Sequence, residues 1–118
     1  MLKDKGIMGK YLTQNIDNLE GGCGWAQEDL VQAHGANFGA TCSVCGKTAD
    51  RKKLEEGITA GTIYRCEKEG CGGPVKPDIT FFGEGLPRCF FEAMEHIQEH
   101  GADLLIVIGT ALAVGPFN

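Results

Sequence analysis

Four of the six cysteines in this chain form two closely spaced pairs, and this spacing strongly constrains the fold. Two residues separate the first pair, four separate the second, and a polar, charged spacer joins the pairs. Two short cysteine loops can supply the four thiolates that tetrahedral Zn²⁺ takes at structural sites, and glycines around the second loop give its backbone the freedom to fold around a metal. We therefore predict a zinc site formed by Cys42, Cys45, Cys66 and Cys71.

Two disulfides or four free thiols are the alternatives to zinc. The start of the chain favours zinc, because Met1–Gly6 is charged and no apolar signal-peptide core follows it. A reducing compartment, in which disulfides are rare, is then expected. A metal held by four thiolates has no open coordination position, so it should stabilise the fold while catalysis takes place elsewhere.

Length and charge limit the classes of partner. A chain of 118 residues forms one small domain or part of a larger one. The net charge of −5 argues against a surface built for nucleic acid, and the basic stretch Arg51–Lys53 is interpreted as a solvated loop. The longest apolar run, Leu104–Ile108, is far too short to cross a bilayer. Neither nucleic acid nor membrane is an expected partner.

Helix and strand patterns around the cysteine segment predict an α/β fold with an incomplete parallel sheet. Ile7–Thr13 is predicted as a strand, and Pro87–His100 as a helix that ends before Gly101. Asp103–Ile108 is predicted as a strand buried on both faces, as in parallel sheets. The cysteine segment itself is predicted to be a ribbon of short strands whose missing core the metal replaces.

Candidate functional residues follow the first predicted strand. Gln14, Asn15 and Asp17 suit the binding of hydroxyls or a carboxamide at the end of a strand, although an Asx turn favours the same residues. His34 is the only histidine outside the long helix and lies between two glycine-containing loops. A lone histidine is often structural, but this polar neighbourhood favours a catalytic role.

Other candidates have weaker support. His96 and His100 are four residues apart, but the glutamate that a metalloprotease motif needs after the first histidine is absent. Cys23 and Cys89 have no spaced partners and are interpreted as small buried side chains. Phe81–Phe82 is interpreted as core, with a hydrophobic substrate channel as the alternative. The chain has neither G-x-G-x-x-G nor a P-loop, so no phosphate cradle is predicted.

Taken in order, five motifs of the chain resemble those of the sirtuins, the NAD-dependent protein lysine deacylases. They are Thr13–Asp17, His34–Gly35, the two cysteine pairs, Lys76–Glu84 and Gly109–Thr110. The resemblance covers the whole chain and is greatest to the eukaryotic cytoplasmic and nuclear class, judged from Gln27–Leu30, Lys76–Glu84 and Val114–Phe117. It implies a partial Rossmann-like parallel sheet with an inserted zinc-ribbon lobe. Residues 1–40 and 76–118 would belong to the Rossmann-like domain, and residues 41–75 would form the lobe.

The resemblance also implies a reaction and a role for each matching residue. A cytoplasmic or nuclear enzyme would transfer the acyl group of an acetylated lysine, in a histone or another protein, to ADP-ribose, with NAD and structural zinc as cofactors. His34 would be the general base and Asn15 a second catalytic residue. Cofactor-binding residues would be Gln14, Asn15, Ile16, Asp17, Gly109 and Thr110. Substrate-binding residues would be Thr80, Phe81, Gly83, Glu84 and Val114, with Val114–Phe117 as the strand opposite the substrate.

The chain also departs from the family pattern. Family members carry a glycine-rich cofactor loop before the position of Met1 and a further cofactor-binding strand after that of Asn118. Ala111 replaces a usual serine, Thr80 a common valine, and Gly21–Gly22 bulkier residues. The resemblance therefore predicts a central fragment that has the catalytic half of the site and lacks the NAD phosphate site. A zinc-stabilised interaction module without activity is the alternative.

Overall fold

A computed structural model describes residues 2–26 and 28–115 and places two small sheets and three helices in them. In chain order the elements are β1 (Tyr11–Thr13), α1 (Leu19–Gly22), β2 (Leu30–Gln32), β3 (Gly35–Cys42), α2 (Arg51–Thr59), β4 (Val75–Ile79) and α3 (Arg88–His100). Strands β1 and β2 are parallel, and β3 and β4 are antiparallel. The predicted α/β class with a parallel sheet and a cysteine cluster is confirmed. None of the described helices has the length and apolar character needed to span a bilayer.

The parallel sheet is covered by the long helix. Tyr11 pairs with Leu30 and Thr13 with Gln32, so β1 is shorter than the predicted strand from residue 7. Val31 and Ala33 of the β2 segment form one buried cluster with Phe90 and Ala93 of α3. The helix begins at Arg88 after Pro87 and ends at His100, close to the prediction, and Gly101 caps it with a positive φ of 75°. This packing fixes the carboxyl ends of β1 and β2 at one edge.

The antiparallel sheet carries a second, separate cluster. Cys42 pairs with Val75 at one end and Gly35 with Ile79 at the other, with an irregularity between Gly35 and Ala40. The buried residues of this cluster are Ala40, Cys42, Leu54, Cys66 and Val75. Two of the five are cysteines, so the apolar core of the lobe is small and a metal could substitute for part of it.

The spacer between the cysteine pairs also contains helix α2, which was not predicted for this ribbon segment. The Asp50 carboxylate caps the helix by accepting hydrogen bonds from the backbone N–H groups of Lys52 (2.8 Å) and Lys53 (3.4 Å). Leu54 is the one buried residue of α2. Because a single apolar side chain anchors α2, its sequence shows no helical periodicity. Its capping residue, Asp50, was a signal from which the helix could have been predicted.

The prediction of a buried strand at residues 103–108 is wrong. No strand in the described chain pairs with this segment, and Leu104 and Ile108 are 75% and 84% exposed. Its apolar run has the composition of a central strand. A strand also needs neighbours for its backbone groups, and the described residues provide none.

Candidate metal centre and active site

The four paired cysteines converge on one point. Cys42 Sγ lies 3.6 Å from Cys71 Sγ, Cys45 Sγ lies 3.8 Å from Cys66 Sγ, and all four sulfur atoms lie within 4.8 Å of one another. Tetrahedral zinc with Zn–S bonds of about 2.3 Å needs sulfur atoms about 3.8 Å apart. All six cysteines of the chain are free thiols. The four ligands therefore fit a closed zinc site of structural type.

Local backbone structure holds the sulfur atoms in place. The N–H of Val44 donates to Cys42 Sγ (3.4 Å), and that of Lys68 donates to Cys66 Sγ (3.5 Å). Gly73 is buried beside the cluster, where a Cβ atom would lie 2.6 Å from Val44 Cγ2 and 3.0 Å from Cys42 Sγ. Only glycine allows the second cysteine loop to approach the first this closely.

The thiols of the cluster differ in acidity. Backbone N–H groups of Cys45 and Val44 donate to Cys42 and lower its pKa to about 6. The N–H of Gly73 lowers the pKa of Cys71, but the neighbouring Cys45 thiol and burial outweigh it and raise that pKa to about 11. The N–H of Lys68 lowers the pKa of Cys66, but burial and the Cys45 thiol outweigh it and raise that pKa. Metal binding must therefore displace protons from at least two of the ligands.

A second candidate site lies at the carboxyl edge of the parallel sheet. Gln14 directly follows β1, and His34 follows β2 after one residue. His34 Nδ1 lies 3.0 Å from the backbone oxygen of Gln14, and the N–H of Asn37 donates to the backbone oxygen of Ile16 (2.8 Å). The structure thus brings together the polar cluster and the histidine, which lie about twenty residues apart in the sequence.

The polar cluster contains the Asx turn that was one of its two sequence interpretations. Asp17 forms an Asx turn, since its carboxylate accepts the N–H of Leu19 (3.2 Å). The side chain of Asn15 is exposed at the edge, while its backbone N–H donates to the Thr13 hydroxyl (3.1 Å). Gln32, which sequence reasoning did not identify, donates from Nε2 to Asn18 Oδ1 (2.9 Å). This bond joins β2 to the end of the polar cluster.

One part of the predicted substrate segment reaches the histidine. The N–H of Thr80 donates to the backbone oxygen of His34 (2.9 Å), beside the Gly35–Ile79 pair of the antiparallel sheet. The next residues form an exposed turn in which the N–H of Glu84 donates to the Phe81 oxygen (3.0 Å). The interpretation of Phe81–Phe82 as core is wrong, because their exposures are 45% and 103%.

The remaining predicted site residues follow α3 and belong to no strand or helix of the described chain. No strand pairing or hydrogen bond among the described residues joins Gly109, Thr110 or Val114 to the sheet edge. Pro116 and Phe117 fall outside the described residues. Cys23 and Cys89 are exposed, so their interpretation as buried side chains is wrong.

The histidine pair of α3 does not take part in a metal cluster. The rings of His96 and His100 are 4.2 Å apart, and His100 Nδ1 lies 2.9 Å from the backbone oxygen of His96. Across residues 2–26 and 28–115, only the four-cysteine group brings three or more metal-ligating side chains close together.

A four-thiol cluster on a small lobe, which β3 and β4 join to the carboxyl edge of a parallel sheet, defines a class of α/β protein with a metal-binding lobe. The sequence specifies which one, because the profile of the Sir2 family matches residues 1–116, and the chain belongs to that family. It is 42% identical over 99% of its length to the NAD-dependent protein deacetylase SIR2rp1 of Trypanosoma brucei brucei, of which it covers 32%. Identities are 43% to the deacetylase sirtuin-2 of Danio rerio (31% covered) and 42% to sirtuin-3 of Mus musculus (34% covered). The chain spans about a third of the length of these relatives.

Proposed function

We propose that this chain forms the catalytic and zinc-binding centre of an NAD-dependent protein lysine deacetylase. The observation that supports this most directly is the contact between His34 Nδ1 and the Gln14 oxygen, which joins the two polar motifs at the sheet edge. Relatives named NAD-dependent protein deacetylases match 99% of the chain. In the proposed reaction the acyl group of a protein lysine passes to ADP-ribose. The substrate is an acetylated protein, either a histone or another protein.

The residues at the sheet edge have the chemistry needed to hold NAD. When bound, NAD supplies ADP-ribose as the acyl acceptor and nicotinamide as the leaving group. We assign Gln14 and Asn15 to the ribose, and Ile16 and Asp17 to the carboxamide, since amide and carboxylate groups at the end of a parallel strand suit such polar ligands. Gly109 and Thr110 are proposed to contact the rest of the cofactor, and this assignment rests on the family motif.

His34 is proposed as the general base and Asn15 as a second catalytic residue. A backbone carbonyl can only accept a hydrogen bond, so the contact with Gln14 requires the proton of a neutral imidazole to be on Nδ1. Nε2 is then unprotonated and able to take a proton from a hydroxyl group. This tautomer is the one that a base acting through Nε2 needs.

The acetyl-lysine segment is proposed to bind along the turn at Thr80, Phe81, Gly83 and Glu84, with Val114 on the opposite side. The exposure of this turn and the bond from Thr80 to the His34 oxygen support strand addition next to the base. We propose that residues 41–75 act as a zinc lobe inserted in a Rossmann-like domain made of residues 1–40 and 76–118. Pairing of Cys42 with Val75 supports those boundaries. The cytoplasmic or nuclear location expected from the sequence stays a prediction.

The test is NAD-dependent nicotinamide release with an acetyl-lysine peptide. It should be measured for this chain and for a chimaera in which residues 1–116 replace the matching segment of mouse sirtuin-3. We expect release by the zinc-loaded chimaera and a loss of roughly 100-fold or more in His34→Ala, because a positioned general base contributes about that much. His96→Ala, which removes an exposed imidazole outside the site, is the matched control and should retain activity.

Zinc content distinguishes the outcomes of this test. The base and the metal are separate sites, so His34→Ala should keep one zinc per chain. Loss of zinc in that variant would contradict the assignment. A folded, zinc-loaded chimaera without turnover would instead favour the zinc-stabilised interaction module.

A further inference from the structure

Lys76 is a half-buried cation in β4 with no part in either site described so far. Its Nζ donates to the backbone oxygen of Ile79 (2.6 Å) and to Glu84 Oε2 (3.0 Å). The same nitrogen lies 4.7 Å from the centroid of the Phe81 ring, within the range of a cation–π contact. One side chain therefore contacts the end of β4 and two residues of the turn that follows it.

Glu84 completes this network from within the turn. Its Oε2 atom, which pairs with Lys76, also accepts the N–H of Phe81 (2.9 Å). That N–H group first, and the Lys76 ammonium second, hold the pKa of Glu84 below its usual range. Glu84 is thus a carboxylate at neutral pH. Charge-assisted hydrogen bonds that share one oxygen hold a turn more firmly than an isolated surface ion pair does.

We propose that Lys76 is a positioning residue, which fixes the turn Thr80–Glu84 in the shape that receives the acetyl-lysine segment. The turn begins at Thr80, whose N–H is bonded to the oxygen of His34, so its shape also sets the distance between substrate and base. Without the cation, Glu84 would turn toward water and release the N–H of Phe81. This inference rests on the proposed function, because the turn receives substrate only in a deacetylase.

Amide exchange measured by NMR on the zinc-loaded chain tests, without any substrate, whether Lys76 holds the turn in place. Lys76→Met should speed exchange of the Phe81 amide by about ten-fold or more, because both hydrogen bonds of the ammonium are lost and the bond from the Phe81 N–H to Glu84 is weakened. Lys76→Arg, which keeps the cation, should retain most of the protection. Lys52→Met removes an exposed cation on α2 and should leave this amide unchanged. Equal exchange in Lys76→Met and the parent chain would overturn the proposal.

Steady-state kinetics of whichever protein releases nicotinamide, this chain or the chimaera, test whether the turn affects binding of the acetyl-lysine peptide. Lys76→Met should raise KM for the acetyl-lysine peptide by about ten-fold, change KM for NAD by less than about two-fold, and leave zinc content unchanged. Lys76→Arg should restore most of the peptide KM. An unaltered KM for the peptide would contradict the role of Lys76 in positioning the turn. A rise of KM for both peptide and NAD, together with loss of zinc, would contradict it as well. A parent protein that never uses the peptide would contradict the proposed function, while amide exchange still decides whether Lys76 holds the turn.

Discussion

At the scale of single residues, Gly35 shows how the backbone fixes the histidine beside it. Its φ of +70° lies in the left-handed region that L-residues disfavour. A Cβ atom added there would collide with the backbone oxygen of Asp78 on the facing strand. Glycine is therefore required where β3 begins, and this close approach places the oxygen of His34 within reach of Thr80.

Gly35→Ala should destabilise the chain by about 2 kcal/mol or more, since left-handed strain of roughly 1 kcal/mol adds to a backbone clash. Denaturant unfolding of the zinc-loaded chain measures the loss. Gly22→Ala is the matched control, because Gly22 is helical, has an unstrained φ and has open space at its Cβ position. Its free energy of unfolding should stay level or rise by up to about 1 kcal/mol. Equal effects of the two substitutions would refute the requirement for glycine.

At the scale of elements, the antiparallel sheet and α2 depend on the cysteine cluster. Cysteines form much of the core of this lobe, and their thiols hold it together only when a metal bridges them. Structural zinc contributes about 10–16 kcal/mol in small zinc-finger peptides, whereas a whole domain is stable by about 5–15 kcal/mol. The metal is therefore expected to decide whether this lobe folds.

Cys42→Ser, or removal of zinc by a chelator, should unfold the lobe and abolish amide protection in β3 and β4. Hydrogen exchange and zinc content are the measurements. Cys23→Ser is the matched control, because Cys23 is exposed and lies outside the cluster. It should keep both zinc and protection. A folded, protected Cys42→Ser chain would rule out a structural metal.

Zinc affinity of the parent chain should also rise with pH. The raised pKa values of Cys66 and Cys71 mean that both thiols carry protons at neutral pH, and zinc must displace them. Acid favours the proton and weakens binding, so release of at least two protons should tighten binding by about 100-fold or more per pH unit. Chelator competition at several pH values above 6 measures the slope. A flat profile would contradict thiol ligation.

At the scale of the whole molecule, the chain is more extended than an isolated domain of its length. Its Cα radius of gyration is 16.9 Å, whereas a compact chain of this size has about 13.5 Å. Two separate buried clusters and the exposed apolar run 104–108 account for the difference. An exposed run of consecutive apolar residues with strand character is prone to self-association.

The double substitution Ile106→Lys with Ile108→Lys should therefore weaken concentration-dependent association of the chain by about ten-fold or more, since it places two charges in the exposed run. Sedimentation over a range of concentrations measures it. The control pair Gln98→Lys with Thr59→Lys makes the same change of net charge, from −5 to −3, at exposed polar positions. Equal weakening by both pairs would show that charge, and not the apolar run, controls association.

Features carried by neighbouring residues were predictable from the sequence. The cysteine spacing predicted the cluster, the apolar period predicted α3, and the ordered motifs identified the family. Spacing within each cysteine pair and the helical period involve residues a few positions apart, while the family was identified from short motifs and their order along the chain.

Features that depend on distant neighbours were decided only by the tertiary structure. Parallel pairing of two three-residue strands joined His34 to Gln14, and a salt bridge across eight residues joined Lys76 to Glu84. The same dependence explains why residues 103–108 have the composition of a buried strand and yet are exposed. Sequence determines which residues can bind or pair, but burial and pairing require a partner that only the folded chain can supply.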